Sequence, residues 1–140
     1  MPTPDVWAAA VLAATAAHVA FQLTVTVLVY PALAEVTAAS WVEVHARHSR
    51  RIVPLVGLVY LAVLVTTSGS LVVRTGAANV VSAVASAVVL VLTACFAAPL
   101  HGRLTGERDP RLLRRLLHTD RLRSIFTVVA FSAALVAAFG

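Results

Sequence analysis

Four stretches of the chain carry no charged residue: Val6 to Ala34, Ile52 to Val73, Thr75 to Leu100 and Ser124 to Gly140. A helix needs about 20 residues to cross a hydrocarbon core, and the first three stretches reach that length. The fourth is shorter, and Arg123 at its start can snorkel to the headgroups. Polar residues enter these runs at helical spacing. Thr15, His18, Gln22, Thr26 and Tyr30 follow one another by three or four positions, which puts them on one face. Asn79, Ser82, Ser86, Thr93 and His101 repeat the pattern in the third run, and Asp120, Ser124 and Thr127 make a shorter stripe in the fourth. Trp41, His45 and His48 share a face ahead of the second. Polar stripes of this kind avoid lipid and face a bundle interior. The pattern predicts an all-α integral membrane four-helix bundle of up-down topology, one domain over residues 1–140, with helices at about 5–34, 41–74, 77–100 and 121–139.

The breaks between the runs refine this plan. The first helix ends near Tyr30-Pro31. Ser40 and Glu43 have the S-x-x-E spacing of a capping box, which starts the second helix at Trp41. Pro54 predicts a kink or a boundary. The turn near Arg74-Thr75-Gly76 separates the second and third helices. After Pro99, "HGRLTGERDP" reads as a loop, with Asp109 as N-cap and Pro110 at the first helical position. In "RLLRRLLHTD", Leu112, Leu113, Leu116 and Leu117 oppose Arg111, Arg114 and Arg115. That predicts a short amphipathic cytoplasmic helix on the membrane surface between helices 3 and 4. The two halves share a plan: apolar helix, proline, polar segment with histidine, apolar helix.

Composition agrees with a membrane setting. Sixty per cent of residues are hydrophobic and only 12% are charged, about half the share of a soluble domain. Every basic residue is arginine. Ten of the 11 lie between the first and second or the third and fourth helices, and only Arg74 lies on the other side. The positive-inside rule then places both loops in the cytoplasm and both termini outside a multi-pass protein of the cell (inner) membrane. Met1 to Asp5 carries no positive charge, which argues against a cleavable signal peptide. The net charge of +5 belongs to a face beside anionic lipid. No basic stripe interleaved with aromatics points to nucleic acid. Cys95 is the only cysteine, so no internal disulfide forms, and it reads as a packing residue.

The chemistry sits in the larger polar residues. Ser82, Ser86 and Thr93 fit close helix packing. His18 and Gln22 lie at mid-membrane depth, where an ionisable group is a functional candidate and a substrate-contacting role follows, alongside Trp41. His45-x-x-His48 puts two imidazoles on one face. With His101 from the third helix and Asp120 from the fourth, they make a donor set suited to iron, copper or zinc. The alternative is an interfacial polar collar without a metal. His118, beside Arg114 and Arg115, reads as surface.

"VLVYPAL", "HARHSRRIVP" and "APLHGRL…LLRRLLHTDRLRS", in this order, resemble the small four-helix membrane proteins of the anthrone-oxygenase-like family. The Pro-x-His after the third helix is Pro99-Leu100-His101. The entry to the fourth is Asp120-Arg121-Leu122-Arg123, with Asp where Asn is usual. The resemblance implies a membrane oxidase or oxygenase acting on lipophilic aromatic, polyketide-like molecules, and favours roles for Pro99, His101 and Arg123. In a metal-free version, His45, His48 and His101, with Asp120, act as general acid and base: His101 abstracts a proton from an activated carbon, Arg123 stabilises the enolate, and Tyr30 and Gln22 orient the substrate.

Other classes remain open: a small-molecule binder or dimeric transporter, a haem protein using His45 and His101, or an accessory subunit with structural histidines. Proton-coupled transport needs a membrane-embedded carboxylate. All six acidic residues read as lying at ends or in loops, which counts against that class.

Overall fold

The computed structural model describes residues 4–140, so much of the Met1 to Asp5 start lies outside the described residues. It is all-helical. Its elements are α1 (Pro4–Thr24), a π turn (Val25–Val29), α2 (Tyr30–Ala34), α3 (Trp41–Val73), α4 (Ala77–Leu92), a second π turn (Thr93–Ala97), α5 (Ala98–Arg103) and α6 (Pro110–Phe139). They build four spans long and apolar enough to cross a membrane: Val6–Ala34, Trp41–Val73, Ala77–Arg103 and Pro110–Phe139. The first span packs on the second and fourth, and the third packs on the fourth and more loosely on the second.

Both π turns stand immediately ahead of a proline. Tyr30 donates its N–H to the carbonyl of Val25 and Ala98 donates to Thr93, each five residues back, and Pro31 and Pro99 follow. A proline ring clashes with the carbonyl four residues earlier. Widening that turn relieves the clash without ending the helix. Pro54 has no such effect: α3 runs through it as one helix.

α3 starts at Trp41 as predicted, but the capping box does not form. Ser40 Oγ pairs with Thr37 Oγ1, and Glu43 pairs with Arg47 one turn on. The Asp109 cap does form. Its Oδ1 accepts from the N–H of Arg111 at 2.7 Å and of Leu112 at 3.3 Å. These bonds hold the exposed Asp109 carboxyl below its ordinary value.

The amphipathic segment departs from expectation in two ways. It is the first part of α6 itself, continuous with the fourth span. Its leucines do not lie on a membrane surface either. Leu112, Leu113 and Leu116 are buried against Trp41, Tyr30, Leu33 and Leu104 in a core at the arginine-rich end. Two hydrogen bonds close that end. Trp41 Nε1–H donates to the carbonyl of Leu104 at 2.8 Å, and Arg108 Nη2 donates to the carbonyl of Ala34 at 2.7 Å.

Along the spans, the outward faces are apolar. Val27, Leu28, Leu58 and Leu61 are each more than half exposed. A belt of this extent suits lipid and not water. At the far end, the ring of Trp7 packs directly over Gly69, leaving no space for a Cβ there.

Candidate functional site

The proline-marked ends of the first and third spans bring Tyr30 and His101 to the same level as His45 on α3. Tyr30 Oη lies 3.1 Å from His101 Nε2, and His101 Nδ1 lies 3.1 Å from His45 Nε2. A neutral imidazole has one donor and one acceptor nitrogen, so the three groups form a head-to-tail chain that can pass a proton along its length. Trp41 stacks behind His45 with ring centroids 5.0 Å apart. His48 stands beside the chain, 5.9 Å from His101 between ring centroids, and its buried Nε2 has no hydrogen-bond partner among the described residues.

A cavity of about 280 Å³ lies beside them, bordered by the first three spans and by Arg123 of the fourth, with Tyr30, His48 and His101 also on its wall. The rest of the lining is largely apolar, including Phe21, Val25, Ile52 and Ala97. Val53 and Ala98, also in the lining, are exposed on the lipid-facing side, so the cavity reaches the surface between the second and third spans. Its volume is at the lower edge of the usual range for small-molecule sites.

A second polar network lies beside it. Asp120 accepts from Gln22 Nε2 at 2.7 Å and from Thr26 Oγ1 at 2.6 Å, and Arg123 Nη1 stands 3.8 Å from the same carboxylate. Arg123 Nη2 donates to Tyr60 Oη at 3.0 Å, and that hydroxyl shares a 2.6 Å bond with Thr93 Oγ1. Asp120 is 2% and Arg123 4% exposed. A buried charge pair survives only with such added hydrogen bonds. Arg123 joins the two regions, since it pairs with Asp120 and also lines the cavity.

Several expectations change here. Tyr30, His45, His48 and His101 do come together, with Arg123 close by. Asp120 is not part of that group, because Gln22 and Thr26 occupy its oxygens. Among the described residues no three His, Cys, Asp or Glu side chains are placed to hold a metal ion, so the iron, copper or zinc set of His45, His48, His101 and Asp120 is not assembled. His45 and His101 face each other at direct hydrogen-bond distance, which leaves no room for a haem plane between them. Arg123 does not snorkel; it is buried inside the bundle. Asp120 is a carboxylate within a span and not at an end. Trp41 supports His45 and does not line the cavity. His18 is fully buried near Tyr60, 5.2 Å between ring centroids, and neither of its nitrogens has a partner among the described residues.

Tyr60 is the residue that pattern reading missed. It continues the face of Trp41, His45 and His48 at steps of four through Ile52 and Val56. That spacing was the available signal, hidden by the apolar residues between. No family model matches the chain, and no curated protein or solved structure matches it.

Proposed function

We propose that the protein is a membrane oxygenase that admits a lipophilic, phenol-type aromatic molecule from the bilayer into the cavity beside Tyr30, His48 and His101. The observation that carries this reading is the hydrogen-bonded chain Tyr30–His101–His45 meeting the wall of a largely apolar cavity. Both nitrogens of His101 are engaged, so it suits a relay better than a first base. His48 is on that wall, and its Nε2 has no hydrogen-bond partner among the described residues. It takes a proton from an activated carbon of the bound molecule, and the Arg123 guanidinium offsets the enolate charge that develops. Dioxygen then adds to the carbanion. The proton returns to give a hydroperoxide, and loss of water leaves a carbonyl where a CH₂ had been. In this proposal the basic end faces the cytoplasm and both termini lie outside.

The test is oxygen uptake and product absorbance by detergent-purified protein given an anthrone-type substrate, with metal content measured on the same sample. His48→Ala and His101→Ala should each cut turnover by about 10²-fold or more, as loss of an acid–base group does. Folded variants with full activity would end the proposal. Stoichiometric iron, copper or zinc that disappears in a folded His45→Ala/His101→Ala protein would replace the metal-free mechanism.

A second reading has one observation in its favour. The buried Asp120 removes the objection to proton-coupled transport. Proton-driven uptake in proteoliposomes that fails in Asp120→Asn protein would favour it.

A further inference from the structure

A different concave surface lies at the arginine-rich end, on the lipid-facing side between the end of the third span and the start of the fourth. Its volume is about 750 Å³. Arg111, Arg114, Arg115 and His118 line it from α6, and Cys95, Phe96, Pro99, Leu100 and Arg103 from the end of the third span. None of its lining residues is acidic. Arg111, Arg114, Arg115 and His118 fall at steps of three, four and seven along α6, on the exposed face opposite the buried leucines. Placing like charges at this spacing costs stability unless an anion meets them. Among the described residues no carboxylate forms an ion pair with these arginines: the ion pairs are Glu43–Arg47 and Asp120–Arg123. Asp109 feels the charges of Arg111 and Arg103, but its carboxylate is engaged in capping α6.

We infer that this groove is a binding site for one anionic phospholipid. Its phosphate would lie on Arg111, Arg114 and Arg115, and an acyl chain would run along Phe96, Pro99 and Leu100. Guanidinium groups hold phosphate oxygens in paired hydrogen bonds. Basic pockets between membrane helices are suited to such headgroups. The lining of the groove matches the two parts of one lipid: four arginines at headgroup level, and an apolar strip leading toward the hydrocarbon, where Phe96 is 53% exposed. A zwitterionic headgroup would bring its own cation against the arginines, so selectivity should favour phosphatidylglycerol over phosphatidylcholine. This site does not depend on the proposed oxygenase chemistry.

The test is native mass spectrometry of the full chain released from vesicles of equal phosphatidylglycerol and phosphatidylcholine, read as the fraction retaining one lipid. Wild type should retain phosphatidylglycerol preferentially. Arg111→Gln/Arg114→Gln should lower that retention at least tenfold. Arg50→Gln/Arg51→Gln, which removes the same charge from the basic segment of α3, should leave it unchanged. Phe96→Ala should weaken it with the arginines intact. Equal loss in both double variants would show general attraction to an anionic surface and overturn the site. So would equal retention of the two lipids. If millimolar inorganic phosphate displaced the lipid, the groove would be a free-anion site and the lipid assignment would fail.

Discussion

Polar side chains occur at both ends of this bundle, but they bond to different things. At the end near the Gly76 turn, Thr15 and Thr67 give their hydroxyl protons to carbonyls four residues back, and Ser82 gives its proton to the carbonyl of Ala130 on a neighbouring helix. At the arginine-rich end, side chains bond to side chains across helices: Gln22 to Asp120, Arg123 to Tyr60, Tyr30 to His101 to His45. A hydroxyl on a carbonyl of its own helix stays satisfied whatever its neighbours do, and a backbone carbonyl such as that of Ala130 is in place whichever side chains surround it. In a cross-helix network, each member leaves another unpaired when it goes. One end therefore uses polarity to pack, and the other uses it to fix a constellation.

The contrast is sharpest at Asp120. Asp120→Ala should cost about 3–5 kcal/mol, because Arg123 is left as an uncompensated buried charge. Denaturant unfolding in mixed micelles would measure it. Asp120→Leu/Arg123→Met should recover most of that loss; no recovery would mean the carboxylate acts chiefly through Gln22 and Thr26. His101→Ala removes the middle of the three-group chain and should cost about 1–3 kcal/mol, by leaving Tyr30 and His45 without their shared partner. At the other end, Gly69→Ala should cost a similar ~1–3 kcal/mol, but by overpacking against Trp7. Pairing it with a smaller residue at Trp7 should relieve the cost, whereas no reduction at Trp7 should rescue His101→Ala. Ser82→Ala should cost only about 0.6 kcal/mol, the average for a hydrogen bond between membrane helices. A loss above 2 kcal/mol there would erase the distinction between the two ends.

The smallest effect belongs to the surface. The Asp109 cap lowers its carboxyl from an ordinary value of 3.8. Its contribution is therefore complete above that pH and is lost as pH falls through the lowered folded value. Wild type and Asp109→Ala should differ in helix content near neutrality and converge in strong acid. A gap unchanged down to pH 2 would show that the cap acts without its charge.

The spans could be read directly from the chain, since an uncharged run of that length has few other uses. The Asp109-Pro110 start of α6 was equally plain, because a carboxylate and a proline both suit that position. The polar stripe of the first span foretold that Gln22, Thr26 and Tyr30 face inward. What pattern could not give was the partner of each face. Leu112, Leu113 and Leu116 have the same periodicity whether lipid or protein covers them. Once they are buried in the bundle, α6 begins 14 residues earlier than the charge-free run, and Asp120 and Arg123 move from its edge to its interior. The Ser40–Glu43 spacing likewise could not decide between a reciprocal cap and the Arg47 that Glu43 takes.

The two wide turns ahead of Pro31 and Pro99 have a consequence for how this constellation is built. Each accommodates one residue more than an α-helix of the same rise would hold, so the segment beyond it is rotated relative to the helix before it. An α-helix advances about 100° per residue. Deleting a single residue within Val25–Val29 or Thr93–Ala97 would restore the regular winding and swing Tyr30 or His101 about that far, out of reach of its partner. The meeting of phenol and imidazole thus depends on chain length at two places where no side chain takes part in it, and a lineage could gain or lose it by insertion or deletion alone, with every polar residue kept.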